Sequence, residues 1–172
     1  SQNAGGRYFW NRTWIEELGF EWPIDTLEEM TDVLYAMKED KPDLYPASGR
    51  WQNRRVTGLF MHAHGMKSNI WGGWPANHIN IVNGEVVFSY LHPNFPAYLE
   101  YTNQLYEDGI IDPEYFTQQM GQLRARMADH GFGLYSEGAP ATALGATEAV
   151  FDYWHAEPIL SQYNEEKWWP QQ

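Results

Sequence analysis

The stretch that decides the fold runs from residue 79 to residue 116 and reads INIVNGEVVFSYLHPNFPAYLEYTNQLYEDGIIDPEYF. It opens with two short apolar runs, Ile79–Val82 and Glu85–Phe88, on either side of Asn83-Gly84. Asn and Gly tolerate the positive φ angles of a two-residue turn, so this dipeptide between apolar runs is a strong hairpin signal. The pattern predicts a β-hairpin over residues 79–88.

An amphipathic helix is predicted directly after the hairpin. The residues that define its buried stripe recur at helical spacing: Phe95, Tyr98, Leu99, Thr102, Leu105 and Tyr106. Gly109 is expected to end this helix. Asp112-Pro113 then caps a second short helix, because proline at the first helical position lacks only an N–H that would have no partner there.

Upstream of this stretch, Thr26 and Glu29 have the spacing of a capping box and predict a helix over residues 26–39. The aromatic run at residues 7–10 is typical of a strand, and Asn11 can cap a short helix that ends before Gly19. The remaining predicted elements are a loop at 40–55, a helix at 57–64, irregular chain at 65–77, a helix at 118–129, a strand at 131–135, a loop at 136–146, a helix at 147–154 and a loop at 157–172.

The composition limits the function classes. The 172 residues include 23 Asp and Glu against 11 Lys and Arg, a formal net charge of −12, which disfavours nucleic acids and anionic membrane surfaces as partners. A hydrophobic fraction of 43% with 16% aromatic residues predicts an ordered globular domain. Cysteine is absent, so thiolate metal sites and thiol nucleophiles are excluded, and the first residues have no signal-peptide pattern.

The order of these elements resembles the bacterial extracellular solute-binding proteins of family 1, which feed ATP-driven sugar importers, and in particular the large lipoproteins of Gram-positive bacteria. Four segments carry the resemblance: Tyr8–Phe20, Asn83–Phe88, Tyr98–Phe116 with its Gly-Ile-Ile-Asp-Pro-Glu run, and Gly131–Tyr135. The resemblance implies a helix-rich α/β fold, one lobe of a type II periplasmic-binding-protein-like fold with a β-hairpin.

A complete member of that family is considerably longer than this chain. The resemblance therefore implies that residues 1–172 are a single domain, much of the second lobe, with the other lobe, signal peptide and lipid-anchor cysteine outside it. It also implies an extracellular, lipid-anchored protein that binds a carbohydrate and delivers it to a membrane permease. Many relatives carry a calcium loop after the second helix, but here Pro42, Pro46 and a shortage of alternating oxygen ligands disfavour one.

Sugar receptors need flat aromatic platforms with polar groups around them. Trp51, Trp71 and Trp74 lie in segments predicted as irregular and are candidate platforms, with Arg50 and His64 as polar neighbours. The alternative is that the rings cover the domain's own helices or pack against the absent lobe, and that the polar residues are solvated loop positions.

Two further positions are candidates because of where they lie in the predicted fold. Tyr135 and Ser136 come at the end of a predicted strand, where open α/β sheets commonly bind ligands. Trp10 is expected near the crossover between the lobes, as a hinge contact or a cleft wall. For a strand-end tyrosine, packing in the core is the competing interpretation.

No catalytic residue, metal ligand or cofactor site is predicted. His62 and His64 form an H-x-H pair without a third ligand at recognisable spacing, and Ser136 lacks the frame of a nucleophile elbow. The prediction is a non-enzymatic sugar receptor. Two alternatives stay open, a fragment of a glycan-processing enzyme and an aromatic-rich protein-interaction module.

Overall fold

A four-stranded mixed sheet with helices on both faces organises the chain. The computed structural model describes residues 7–50, 56–66, 79–82 and 84–165. The strands are β1 (Arg7–Asn11), β2 (Ala47–Ser48), β3 (Ile79–Val82), β4 (Glu85–Phe88), β5 (Leu134–Glu137) and β6 (Tyr153–His155). The α-helices are α1 (Arg12–Glu17), α2 (Leu27–Asp40), α3 (Thr57–Ala63), α4 (Phe95–Glu107), α5 (Met120–Asp129) and α6 (Pro140–Leu144). Short 3₁₀ turns lie at Ser89–Leu91, Pro113–Phe116 and Glu148–Asp152.

The sheet has the strand order β2-β5-β1-β6. β1 runs antiparallel to both β5 and β6, whereas β2 is parallel to β5. In the register of the central pair, Tyr8 lies opposite Ser136 and Trp10 lies opposite Leu134. Because β2 and β5 are parallel neighbours, their carboxyl ends lie at the same edge of the sheet.

Two hydrophobic cores lie on the two faces of the sheet. Successive strand residues point to opposite faces, so Tyr8 and Trp10 enter the larger core and Phe9 enters the smaller one. The larger core includes the buried residues of α2, α3 and α4. The smaller core joins Phe9, Tyr135 and Tyr153 to buried residues of α5 and α6.

The helix and hairpin signals in the sequence are confirmed. Thr26 Oγ1 accepts from the Glu29 N–H (3.1 Å) while a Glu29 carboxylate oxygen accepts from the Thr26 N–H (3.0 Å), which is the expected capping box. The Asn11 side chain accepts from the Trp14 N–H (3.1 Å) at the start of α1. β3 and β4 pair antiparallel as the predicted hairpin, and α4 follows it as expected.

Other boundaries predicted from the sequence are wrong. Residues 147–154 are a 3₁₀ turn followed by β6 rather than a helix, because Tyr153–His155 pairs with β1. The strand predicted at 131–135 lies at Leu134–Glu137, so the loop predicted from 136 onward contains its end and also α6. The loop predicted at 40–55 contains β2, and the helix predicted at 118–129 begins at Met120.

Within the described ranges, every helix is too short or too polar to cross a lipid bilayer.

Candidate functional site

The carboxyl ends of β2 and β5 place two charged side chains next to each other. Arg50 follows β2, and Glu137 is the last residue of β5. Ligands of open α/β sheets bind outside the carboxyl ends of strands. This edge is therefore the candidate binding site, and it contains two of the residues chosen from the sequence, Arg50 and Ser136.

Arg50 and Glu137 form a partly buried ion pair at this edge. Arg50 Nε donates to Glu137 Oε2 over 2.8 Å, and the other carboxylate oxygen accepts from the Gly138 N–H (2.8 Å). The Glu137 side chain is 1% exposed and that of Arg50 is 23% exposed. The terminal Nη groups of Arg50 carry further N–H donors, which match the hydroxyl oxygens of a ligand.

Ser136 and Tyr135 lie behind this edge. Both are completely buried, and neither hydroxyl has a hydrogen-bond partner in the part of the chain that the structure describes. Burial, together with the nearby Tyr153 and Glu137, raises the pKa of Tyr135. The Tyr135 ring packs in the smaller core, 5.0 Å from that of Tyr153, so its hydroxyl stays protonated and is a neutral donor.

Trp10 lies in the middle of the sheet. Its ring is completely buried in the larger core, and its Nε1–H has no acceptor among the residues described. A role for Trp10 in ligand binding stays a prediction. Trp51, Trp71 and Trp74 were predicted as sugar platforms and lie outside the described residues.

His64 is buried at the end of α3, inside a group of aromatic rings. Its ring stacks on Tyr163 with centroids 4.9 Å apart and contacts Tyr101 at 5.5 Å and Tyr98 at 6.0 Å. Nδ1 lies 2.6 Å from the Phe60 carbonyl oxygen. Burial lowers the pKa of His64, although the hydrogen bond to Phe60 acts in the opposite direction.

We expect the protein to lose stability as the pH falls from about 7.5 to about 5.5. The unfolded chain takes up a proton on His64 near its ordinary pKa of 6.5, while the folded protein keeps the ring neutral to lower pH. The stabilisation is therefore complete above pH 6.5 and is lost as the pH falls towards the folded-state pKa. Urea denaturation at stepped pH measures this slope.

The matched control for the pH series is His64→Gln, which removes the titrating ring. Its slope should be smaller but not zero, because burial also lowers the pKa of His92. Identical slopes for the variant and the unsubstituted protein would exclude a contribution from His64.

No group of three metal-binding side chains comes together within the described ranges. His62 lies in α3 and His64 follows it as the C-terminal cap, so the H-x-H pair is helical. Residues two apart on a helix diverge, and the His62 ring instead contacts Tyr8 edge-on at 5.9 Å.

Sequence reasoning missed Glu137 and a buried polar network beside it. The network joins Ser48 at the end of β2 to Asp112, Gln118 and Arg126. Ser48, Asp112 and Gln118 are completely buried. One signal was present in the sequence: Asp112 belongs to the Gly-Ile-Ile-Asp-Pro-Glu run. Its partners could not be identified because they come from three separate segments.

The fold has a periplasmic-binding-protein-like architecture. The chain is similar to the solute-binding proteins of ABC importers. The fructooligosaccharide ABC transporter substrate-binding protein FusA of Streptococcus pneumoniae serotype 4 is 28% identical over 147 residues, which are 81% of this chain and 26% of FusA. No protein-family model matches the chain.

Solved structures confirm the expected α/β fold. FusA in complex with kestose has a TM-score of 0.73 at 23% identity, over 94% of this chain and 32% of that one. An extracellular solute-binding protein from Bifidobacterium longum subsp. infantis has a TM-score of 0.71 at 18% identity, over 92% and 34%. A sugar transporter from Arthrobacter chlorophenolicus A6 with bound laminaribiose has a TM-score of 0.61 at 19% identity, over 93% and 38%. The chain thus spans about a third of the length of these solved proteins.

Proposed function

We propose that this chain is part of the substrate-binding component of an ABC importer, and that it supplies one wall of a carbohydrate-binding cleft. The likeness to FusA carries the proposal, because it extends over 81% of the chain in sequence and 94% in structure, including a structure with bound kestose. In the intact protein, residues 1–172 belong to the second of two lobes, which draw together on an oligosaccharide.

The chemistry of the strand edge supports a polyhydroxylated ligand. Sugar hydroxyls both donate and accept hydrogen bonds, so a sugar site needs a few placed polar groups of both kinds. The Nη groups of Arg50 can donate to hydroxyl oxygens, and the buried Ser136 lies next to Glu137 on the same strand. The partly exposed Arg50 guanidinium, held by Glu137, suits orientation of a ligand.

The state of the buried carboxylates favours a receptor over a glycan-processing enzyme. A glycosidase needs two carboxyl groups that face one groove and are free to exchange protons or attack the sugar. In the described part of the chain, Asp112 and Glu137 are the buried acids, and each is bound to an arginine. These two acids are held by their arginines and do not form a free pair, which supports a receptor that binds its carbohydrate without cleaving it.

Delivery to a membrane permease completes the proposed role. A closed, ligand-bound receptor docks on the importer outside the cell, and a lipid anchor elsewhere in the intact protein holds it near the membrane. The hinge closure of two lobes is the established means by which binding proteins of this architecture signal that they are loaded.

Isothermal titration of the intact protein against a panel of oligosaccharides tests the proposal. The panel contains kestose, maltose and laminaribiose, with sorbitol as a polyol that lacks the sugar ring. We expect a saturable isotherm for one or more of the sugars and none for sorbitol. Flat traces for every sugar would contradict the proposed function.

A further inference from the structure

We infer that Asp112, Gln118 and Arg126 are positioning residues of the candidate site, which act through Ser48 and Gly49 to hold Arg50 in place. The inference rests on the proposed function and extends it to residues that do not line the strand edge themselves. It also gives the Asp of the Gly-Ile-Ile-Asp-Pro-Glu run a role beyond capping a turn.

The pairing of β2 with β5 ends two residues before Arg50. Ala47 forms a parallel bridge with Ile111: its N–H donates to the Ile110 carbonyl (2.9 Å) and its carbonyl accepts from the Asp112 N–H (2.9 Å). β2 has only two residues, and its register with β5 ends at Ser48 and Tyr135. At Ser48 and Gly49, hydrogen bonds from side chains add to the support that the short strand obtains from β5.

Asp112 is the centre of this support. One carboxylate oxygen accepts from the Glu114 N–H (3.0 Å), which starts the 3₁₀ turn at Pro113–Phe116. The other oxygen accepts from Ser48 Oγ (2.7 Å) and from Arg126 Nη1 (2.6 Å). Because Asp112 is completely buried, water cannot replace these partners, and the positions of Ser48 and of α5 become linked.

Gln118 extends the support one residue further towards Arg50. Its Nε2 donates to Ser48 Oγ (2.8 Å) and also to the Gly49 carbonyl. Its Oε1 accepts from Arg126 Nη1 (3.3 Å). The side-chain hydrogen bonds therefore reach the peptide group that directly precedes Arg50.

The geometry at the strand edge depends on this support. The ion pair of Arg50 with Glu137 joins the ends of β2 and β5, so a displaced β2 end moves the guanidinium away from its carboxylate and from the ligand. Binding groups lose affinity when the residues behind them fail to hold them to within a fraction of an ångström. Loss of the network should thus weaken sugar binding even in a fully folded protein.

The test compares sugar affinity among variants of the intact protein. Gln118→Leu removes the hydrogen bonds to Ser48 and Gly49. Ser48→Ala is the smaller change and removes the hydroxyl that bonds Asp112 and Gln118. Ile15→Ala is the control. Ile15 is completely buried in α1, which follows the carboxyl end of β1. Because β1 runs antiparallel to β5, that end lies at the opposite edge of the sheet from Glu137. The dissociation constants for kestose, maltose and laminaribiose are measured at a temperature where circular dichroism shows each variant to be folded.

We expect the dissociation constant of the sugar that binds to rise about tenfold in Gln118→Leu and by a smaller factor in Ser48→Ala. Ile15→Ala should lose stability and keep its affinity, which separates positioning from a general loss of stability. If Gln118→Leu does not fold, Ser48→Ala decides the question. Unchanged affinity in a folded network variant would overturn the positioning role, whereas failure of the unsubstituted protein to bind any sugar would overturn the proposed function itself.

Discussion

Replacing Arg126 with alanine is expected to lower the free energy of unfolding by about 3 kcal/mol, because it leaves the buried carboxylate of Asp112 without its cation. The Asp112 side chain is completely buried, and Arg126 Nη1 reaches it over 2.6 Å. The substitution also removes the guanidinium from its position 5.0 Å from the centre of the Phe132 ring. Urea denaturation followed by tryptophan fluorescence measures the loss.

Arg124 provides the matched control for this substitution. It lies on the same helix, and its Nε donates to the Thr142 carbonyl (3.0 Å) at an exposed position. Arg124→Ala should change the free energy of unfolding by less than about 1 kcal/mol. Equal losses in the two variants would show that the buried pair with Asp112 contributes nothing particular to stability.

Replacing Gly65 with alanine is expected to cost about 3 kcal/mol of stability, for two reasons that act together. Gly65 has a φ of +73°, which a residue with a Cβ adopts only under strain. A Cβ at this position would also collide with the backbone carbonyl oxygen of Tyr163. The collision would push the segment that contains Tyr163 away from His64, on whose ring Tyr163 stacks.

Gly19→Ala separates the two causes. Gly19 has a φ of +82°, but a Cβ there would meet nothing within 4 Å. We therefore expect a loss of about 1 kcal/mol from backbone strain alone. If Gly65→Ala costs no more than Gly19→Ala in a thermal or urea titration, the close packing of Tyr163 on the end of α3 is incorrect.

The elements that were predictable from the sequence are those set by neighbours in the chain. The capping box of Thr26 and Glu29 involves residues three apart, and the hairpin signal of Asn83-Gly84 lies between its own two strands. Such local interactions leave a pattern that can be recognised without knowledge of the rest of the fold. Both elements appear in the structure with the predicted bounds or within one residue of them.

The elements that were mispredicted depend on distant partners. Ala47-Ser48 is too short to leave an alternating pattern, and it is a strand only because β5 lies beside it. Tyr153 and Trp154 were assigned to a helix, yet they belong to β6, which pairs with β1 more than 140 residues earlier in the chain. Pairing across such separations cannot be deduced from composition or period, and it overrides local preference.

The same distinction applies to the candidate site. Arg50 was chosen as a polar neighbour of Trp51 and Ser136 for its position at the end of a predicted strand, and both lie at the strand edge. Glu137 was missed, although it lies two residues after a predicted strand, because its partner Arg50 lies 87 residues away. Trp10 and Tyr135 are buried in the two cores, and for Tyr135 this agrees with the competing interpretation of packing.

The central claim is that the carboxyl edge of β2 and β5 forms one wall of a sugar-binding cleft. A crystal structure of the intact protein with a bound oligosaccharide tests it most directly. We predict sugar hydroxyl oxygens within about 3.2 Å of the Arg50 guanidinium, with the Glu137 pair intact. A sugar bound in the cleft without any contact to residues at the ends of these two strands would contradict the account.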